Sequence, residues 1–107
     1  MRLYVAGPMA GLPEFNYPLF RAVAADLRQR GYDVENPADN VPPVPDGTAA
    51  QWHDYMRVAL AQMLTCEGVA LLSGWQRSRG ASLEVYVATQ CQLTVMPVAD
   101  WLLAGAR

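Results

Sequence analysis

The sequence comprises 107 residues, 52% hydrophobic and 17% charged, with a formal net charge of −2. A chain of this length fits one domain around one core; its apolar content excludes intrinsic disorder, and its acidic balance argues against a nucleic-acid polymer as partner. No apolar run approaches the roughly 20 residues of a membrane span, and the stretch Leu3–Ala6 breaks on Gly7-Pro8 too soon for a signal-peptide core, so the expectation is a cytoplasmic protein with no membrane partner.

Arg2–Ala6 is short, apolar and closed by glycine, which predicts a buried first strand. Gly7 to Pro13 is a glycine and proline loop. A first helix is expected from Asn16-Tyr17-Pro18, with Asn16 as cap. Leu19, Phe20, Val23, Ala24 and Leu27 form its inner face, and Gly31 ends it. Tyr32–Asn36 predicts a second strand, followed by a connection over 37–47 that carries four prolines. Thr48 to Gln51 has the capping-box form, opening a helix whose stripe runs through Trp52, Tyr55, Met56, Ala59, Leu60, Met63 and Leu64. Gly68–Leu72 is a third strand, Ser73–Gly80 a second glycine loop and Ala81–Cys91 a third helix. Leu93–Met96 predicts a fourth strand and Val98–Ala104 a closing helix. Cys66 and Cys91 fall in segments that read as helix, without CxxC spacing or a nearby histidine. They are expected to be buried free thiols, with no metal site.

Strands and helices alternate, and the strands are continuously apolar. That pattern belongs to a parallel sheet covered on both faces. The predicted fold is α/β, a Rossmann-like (flavodoxin-like) three-layer sandwich over residues 1–107, with a four- to five-stranded parallel sheet in the order 2-1-3-4. In that order the loops after the first and third strands, both glycine-rich, open on the crevice where such folds bind ligands.

The second loop carries most of the candidate chemistry. Gly80 lets backbone approach a ligand, Ser78 adds a hydroxyl, and Arg77 and Arg79 add charge suited to a phosphate. Glu84 falls about one turn into the following helix, whose dipole favours its ionised form, and an ionised carboxylate beside an anion site suits attack on a sugar carbon. The plainer account of the same residues is an ordinary loop-to-helix junction with a dipole-complementing glutamate. His53, the one histidine, could face the crevice or simply lie on the surface. Trp75 is the better candidate for stacking on a base, because Tyr55 belongs to a helical stripe and is expected in the core along with Met56 and Met63.

The segments Y-V-A-G-P-M at 4–9, F-N-Y-P-L-F at 15–20, E-N-P-A at 35–38 and C-E-G-V-A-L-L-S-G-W-Q-R-S-R-G-A-S-L-E at 66–84 together resemble a small phage and bacterial family of the nucleoside 2-deoxyribosyltransferase-like superfamily. The resemblance implies an N-glycosidase or deoxyribosyltransferase acting on a nucleoside or nucleotide, with no metal or organic cofactor. Glu84 would then be the nucleophile that forms a glycosyl-enzyme ester, resolved by water or another base. Ser78 and Gly80 match positions at the sugar 5′ end or its phosphate, and Gly7, Pro8 and Met9 match the loop lining sugar and base. A homo-oligomer is implied too, because relatives often complete the site from a neighbouring subunit. One position departs from the pattern. Relatives usually carry Asp eight residues before the acidic residue at strand three, here Glu67, and Ala59 stands in its place. Asp54, Asp33 or a water could take over its proton. Alternatively, the domain binds a nucleotide-derived molecule without turning it over.

Overall fold

The computed structural model describes residues 1–40 and 50–106. Strands β1 (Arg2–Ala6), β2 (Asp33–Glu35), β3 (Gly68–Leu71) and β4 (Thr94–Pro97) form one four-stranded, all-parallel sheet in the order β2-β1-β3-β4. Helices α1 (Tyr17–Gln29), α2 (Trp52–Met63), α3 (Arg79–Gln90) and α4 (Val98–Ala104) connect and cover it. This is the three-layer α/β arrangement expected, with four strands.

Both faces of β1 are buried, and this explains its unbroken apolar run. Leu3 and Val5 join Phe20, Val23, Ala24 and Leu27 of α1 and Trp101 of α4 on one side. Tyr4 and Ala6 join Val69, Leu71, Met63 of α2 and Ala88 of α3 on the other. Each Val, Leu, Phe or Met side chain among them contributes about 1.5–3 kcal/mol of burial. Trp101 is bolted across the sheet: its indole N–H donates to the Val69 carbonyl at 3.0 Å, and its own carbonyl accepts from Tyr32 Oη at 2.8 Å. Gly68 makes room for that indole, since a Cβ there would stand 2.7 Å from two ring carbons.

Helix α1 closes as the sequence predicts. Gly31 takes φ +94°, its N–H reaches Arg28 O at 3.0 Å, and the next N–H, of Tyr32, returns to Leu27 O at 3.2 Å. Its start is different. Asn16 lies at φ 63° and does not cap; its Nδ2 instead donates to the Pro8 carbonyl at 3.0 Å, fastening the loop after β1. Leu19 is exposed rather than core.

Helix α2 begins at Trp52, with Gln51 at the cap and the Asp54 carboxylate accepting the Gln51 N–H at 2.9 Å. The expected cap residue Thr48, and positions 41–47 of the proline-rich connection, lie outside the described residues. Only Met56 and Met63 of the predicted stripe are buried; Trp52 and Tyr55 are exposed because the first turns of the helix face a cavity rather than the sheet, and Leu64 is exposed at the C-cap. Cys66 is buried in the turn after α2, whereas Cys91 is exposed at the C-cap of α3, so only one of the two thiols is the small core hydrophobe expected. No helix among the described residues is long and apolar enough to cross a membrane.

Candidate functional site

A cavity of about 400 Å³ opens at the carboxyl end of β1, between the loop after that strand, the Pro37–Asn40 turn after β2, and the first turns of α2 and α3. Its floor is Tyr4 and Glu84. The Tyr4 hydroxyl donates to Glu84 Oε2 across 80 positions of sequence, and the two side chains are 1% and 6% exposed. Burial pushes the Glu84 carboxyl up to about 7, and the hydrogen bond from Tyr4 pulls in the opposite direction and loses. The Tyr4 phenol is held well above its ordinary value by burial and by the neighbouring carboxylate. The sequence expects the helix dipole to favour the ionised form of Glu84, whereas burial raises its carboxyl. Helix α3 starts at Arg79, so Glu84 lies beyond its first turn, where the dipole field has faded and desolvation prevails.

Four structural devices hold the walls. Ser78 caps α3, its Oγ accepting the Ala81 N–H at 3.1 Å. Gly80 lets α3 approach α2 closely, a Cβ there standing 3.3 Å from Met56 Sδ. Asn40 exchanges two hydrogen bonds with Gln62 of α2, at 2.8 and 3.1 Å, which fixes the turn after β2. Before α1, three successive residues, Glu14, Phe15 and Asn16, take left-handed φ of 51°, 53° and 63°. That conformation costs about 1–2 kcal/mol at each non-glycine residue, and it presents Phe15, 59% exposed, to the cavity. Strain of this kind concentrates at functional sites.

Of the residues singled out in the sequence, Gly7, Met9, Ser78, Gly80 and Glu84 line this cavity together. Pro8, Trp75, Arg77 and Arg79 are not in its lining. Trp75 packs instead on the apolar layer between the sheet and helices α2 and α3, and with Ser73 and Gly74 borders a separate hollow of about 250 Å³. The first half of the second glycine loop thus opens elsewhere, and the cavity is displaced toward β2. Arg79 lays its guanidinium 3.6 Å over the ring of Trp52, a lining residue, at the rim. Tyr55, expected in the core, instead lines the cavity and is 52% exposed. His53 is exposed beside Asp54, its Nε2 3.4 Å from the carboxylate, and does not line the cavity.

Tyr4 is the site residue that the sequence reading missed. Its signal was present: a hydroxyl in the middle of a fully buried apolar strand needs a partner. Ala59 lines the cavity, and among the described lining residues Glu84 is the one charged side chain. Among the described residues, no three His, Cys, Asp or Glu side chains gather as a metal would require.

No curated protein matches this sequence. A family model described as a domain of unknown function, DUF4406, matches residues 1–97, a stretch that holds all four strands, both glycine loops and every residue of the cavity lining. The chain belongs to the DUF4406 family.

Proposed function

We propose that the protein cleaves, or transfers a sugar across, the N-glycosidic bond of a nucleoside or nucleotide, as the resemblance to nucleoside 2-deoxyribosyltransferase-like enzymes implies. The observation that carries this reading is Glu84, a buried carboxylate fixed by the Tyr4 hydroxyl on the floor of a cavity of about 400 Å³. Partly desolvated and aimed by one donor, it has the character of a nucleophile for a sugar carbon once ionised. The exposed rings of Phe15 and Tyr55 offer the apolar faces that a base would meet. With Arg77 and Arg79 outside the lining, nothing charged in the described wall favours a 5′-phosphate over a free 5′-hydroxyl. Catalysis proceeds without a cofactor in this reading. It is placed in the cytoplasm, where the free thiols of Cys66 and Cys91 stay reduced. A homo-oligomer is part of the same proposal.

Chromatographic detection of free base tests the reading, with a panel of ribo- and deoxyribonucleosides and their 5′-monophosphates beside Glu84→Ala. Base released by the native chain and not by the variant is the expected result. Ala59 in the cavity wall favours a second reading, a module that binds such a molecule without turnover. That reading predicts saturable thermal stabilisation by ligand and no release.

A further inference from the structure

A left-handed backbone is cheap for glycine, and Gly11 adopts it at φ 80° in the loop after β1. Glu14, Phe15 and Asn16 adopt it without glycine, at φ 51°, 53° and 63°. Asparagine visits that region as a single residue. Glutamate and phenylalanine rarely do, and L-residues avoid runs of it, because each Cβ crowds the following carbonyl.

The loop is closed on itself so that the segment stays there. The Leu12 N–H reaches Met9 O at 3.2 Å, the Phe15 N–H reaches Leu12 O at 3.0 Å, and Asn16 Nδ2 donates to Pro8 O at 3.0 Å. The outcome is a ring at the cavity. Phe15 lines it and is 59% exposed, with the Tyr17 ring beside it at 5.8 Å between centroids and a tilt of 43°. A strained backbone and a large apolar ring left in water thus fall on one residue, and neither stabilises the fold. Features of this kind are retained where a ligand offsets them. The remaining described non-glycine residue in this region, Gln92 at φ 61°, is a single residue just past the C-cap of α3, where such a conformation is common, and it lies outside the cavity lining.

We propose that the Glu14–Asn16 segment holds Phe15 as the stacking surface for a planar ring entering the cavity, and that this contact, rather than the fold, is what position 15 serves. In taking the ring to be a nucleobase, the inference rests on the N-glycosidic reading above. A base laid on the open face of Phe15 removes that face from water, while the sugar meets Glu84 on the floor of the same cavity.

The test compares Phe15→Asn, Phe15→Leu, Phe15→Tyr and Gln92→Asn with the native full chain. It reads thermal midpoints without ligand, and KM for base release from the nucleoside panel, or Kd from ligand-dependent stabilisation where there is no release. Asparagine suits the left-handed backbone and deletes the ring; leucine keeps an apolar side chain without a flat face. Phe15→Asn is expected to melt at or above the native temperature while its KM or Kd rises roughly 5- to 150-fold. Phe15→Leu should weaken binding likewise, and Phe15→Tyr should restore it. Gln92→Asn should also melt at or above the native temperature, with binding unchanged. A clear fall in the midpoint of Phe15→Asn overturns the inference, because the ring then belongs to the packing of the chain itself. Unchanged KM or Kd in Phe15→Asn, or full binding by Phe15→Leu, overturns it too. Each of these leaves the N-glycosidic reading standing where the native chain releases base and Glu84→Ala does not. Binding without release overturns that reading alone, the Phe15 comparison then being read in Kd. A native chain that neither releases base nor is stabilised by any nucleoside overturns both.

Discussion

Tyr4 and Glu84 form a buried donor–acceptor pair that joins the central strand to helix α3. Burial and this hydrogen bond act in opposite directions on the carboxyl, with a resultant of about 7. If ionised Glu84 attacks the sugar, activity rises with pH through that value. Tyr4→Phe deletes the donor and keeps the ring, so the Glu84 carboxyl moves higher. A hydrogen bond to a charged group is worth about 1.5–3 kcal/mol, which displaces the acidic limb of the kcat/KM profile upward by roughly one to two pH units. Superimposable profiles for wild type and Tyr4→Phe would show that the hydroxyl does not govern the ionisation.

The same group makes stability depend on pH. In the unfolded chain Glu84 loses its proton near 4.5, while the folded chain holds it to about 7. The folded state therefore carries the extra proton between these values, so stability falls as pH rises through that window and levels off above it. The loss is about 3 kcal/mol at full extent. Glu84→Gln has no proton to lose and is expected to match wild type near pH 4.5 and exceed it at pH 8. Urea midpoints across that range measure the difference; an unchanged slope in the variant would assign the pH dependence to other groups.

Strand order, the burial of β1 on both faces and the Schellman turn at Gly31 were all legible in the sequence, because each follows from local pattern: continuous apolar runs, helical spacing, and a glycine where φ is +94°. Glu84 was legible for the same reason, lying a fixed distance behind a loop-to-helix junction. Its partner was not, since Tyr4 is 80 positions away and only the sheet brings the two together. The expectation that Tyr55 lies in the core failed in an instructive way. Helical periodicity identifies which side of α2 faces inward, but not whether the interior there is packed core or cavity. The position of Arg79 was not legible either: it lies over the Trp52 ring, a contact between two helices that spacing within one loop does not reveal.

Glycine 68 is a packing requirement rather than a turn. A methyl group there would meet the Trp101 ring at 2.7 Å and Leu3 Cδ2 at 2.9 Å, both in the core. Trp101 is held by its bond to Val69 O at 3.0 Å and has little freedom to retreat. Gly68→Ala is expected to destabilise by about 1–3 kcal/mol, the usual cost of overpacking, read as a lower urea midpoint at unchanged m value. Because the change lies on the face of the sheet away from Glu84, the pH dependence of activity should not move.

Tyr55 and Trp75 separate recognition from stability. Tyr55 is half exposed and borders the cavity, so Tyr55→Ala removes a ring face without opening the core. Loss of one base–aromatic contact costs about 1–3 kcal/mol, so KM, or Kd where there is no turnover, should rise roughly 5- to 150-fold with little change in Tm. Trp75 has no part in the cavity lining and packs on the layer that holds Met63 and Ala88. Trp75→Ala is expected to lower stability by about 2 kcal/mol, less than the 3–5 kcal/mol typical of a fully buried ring, while leaving KM unchanged. Ligand titration and thermal melts on both variants decide the matter. If Trp75→Ala weakens binding and Tyr55→Ala does not, the base lies against the second glycine loop, and the cavity at the carboxyl end of β1 is not where it is recognised.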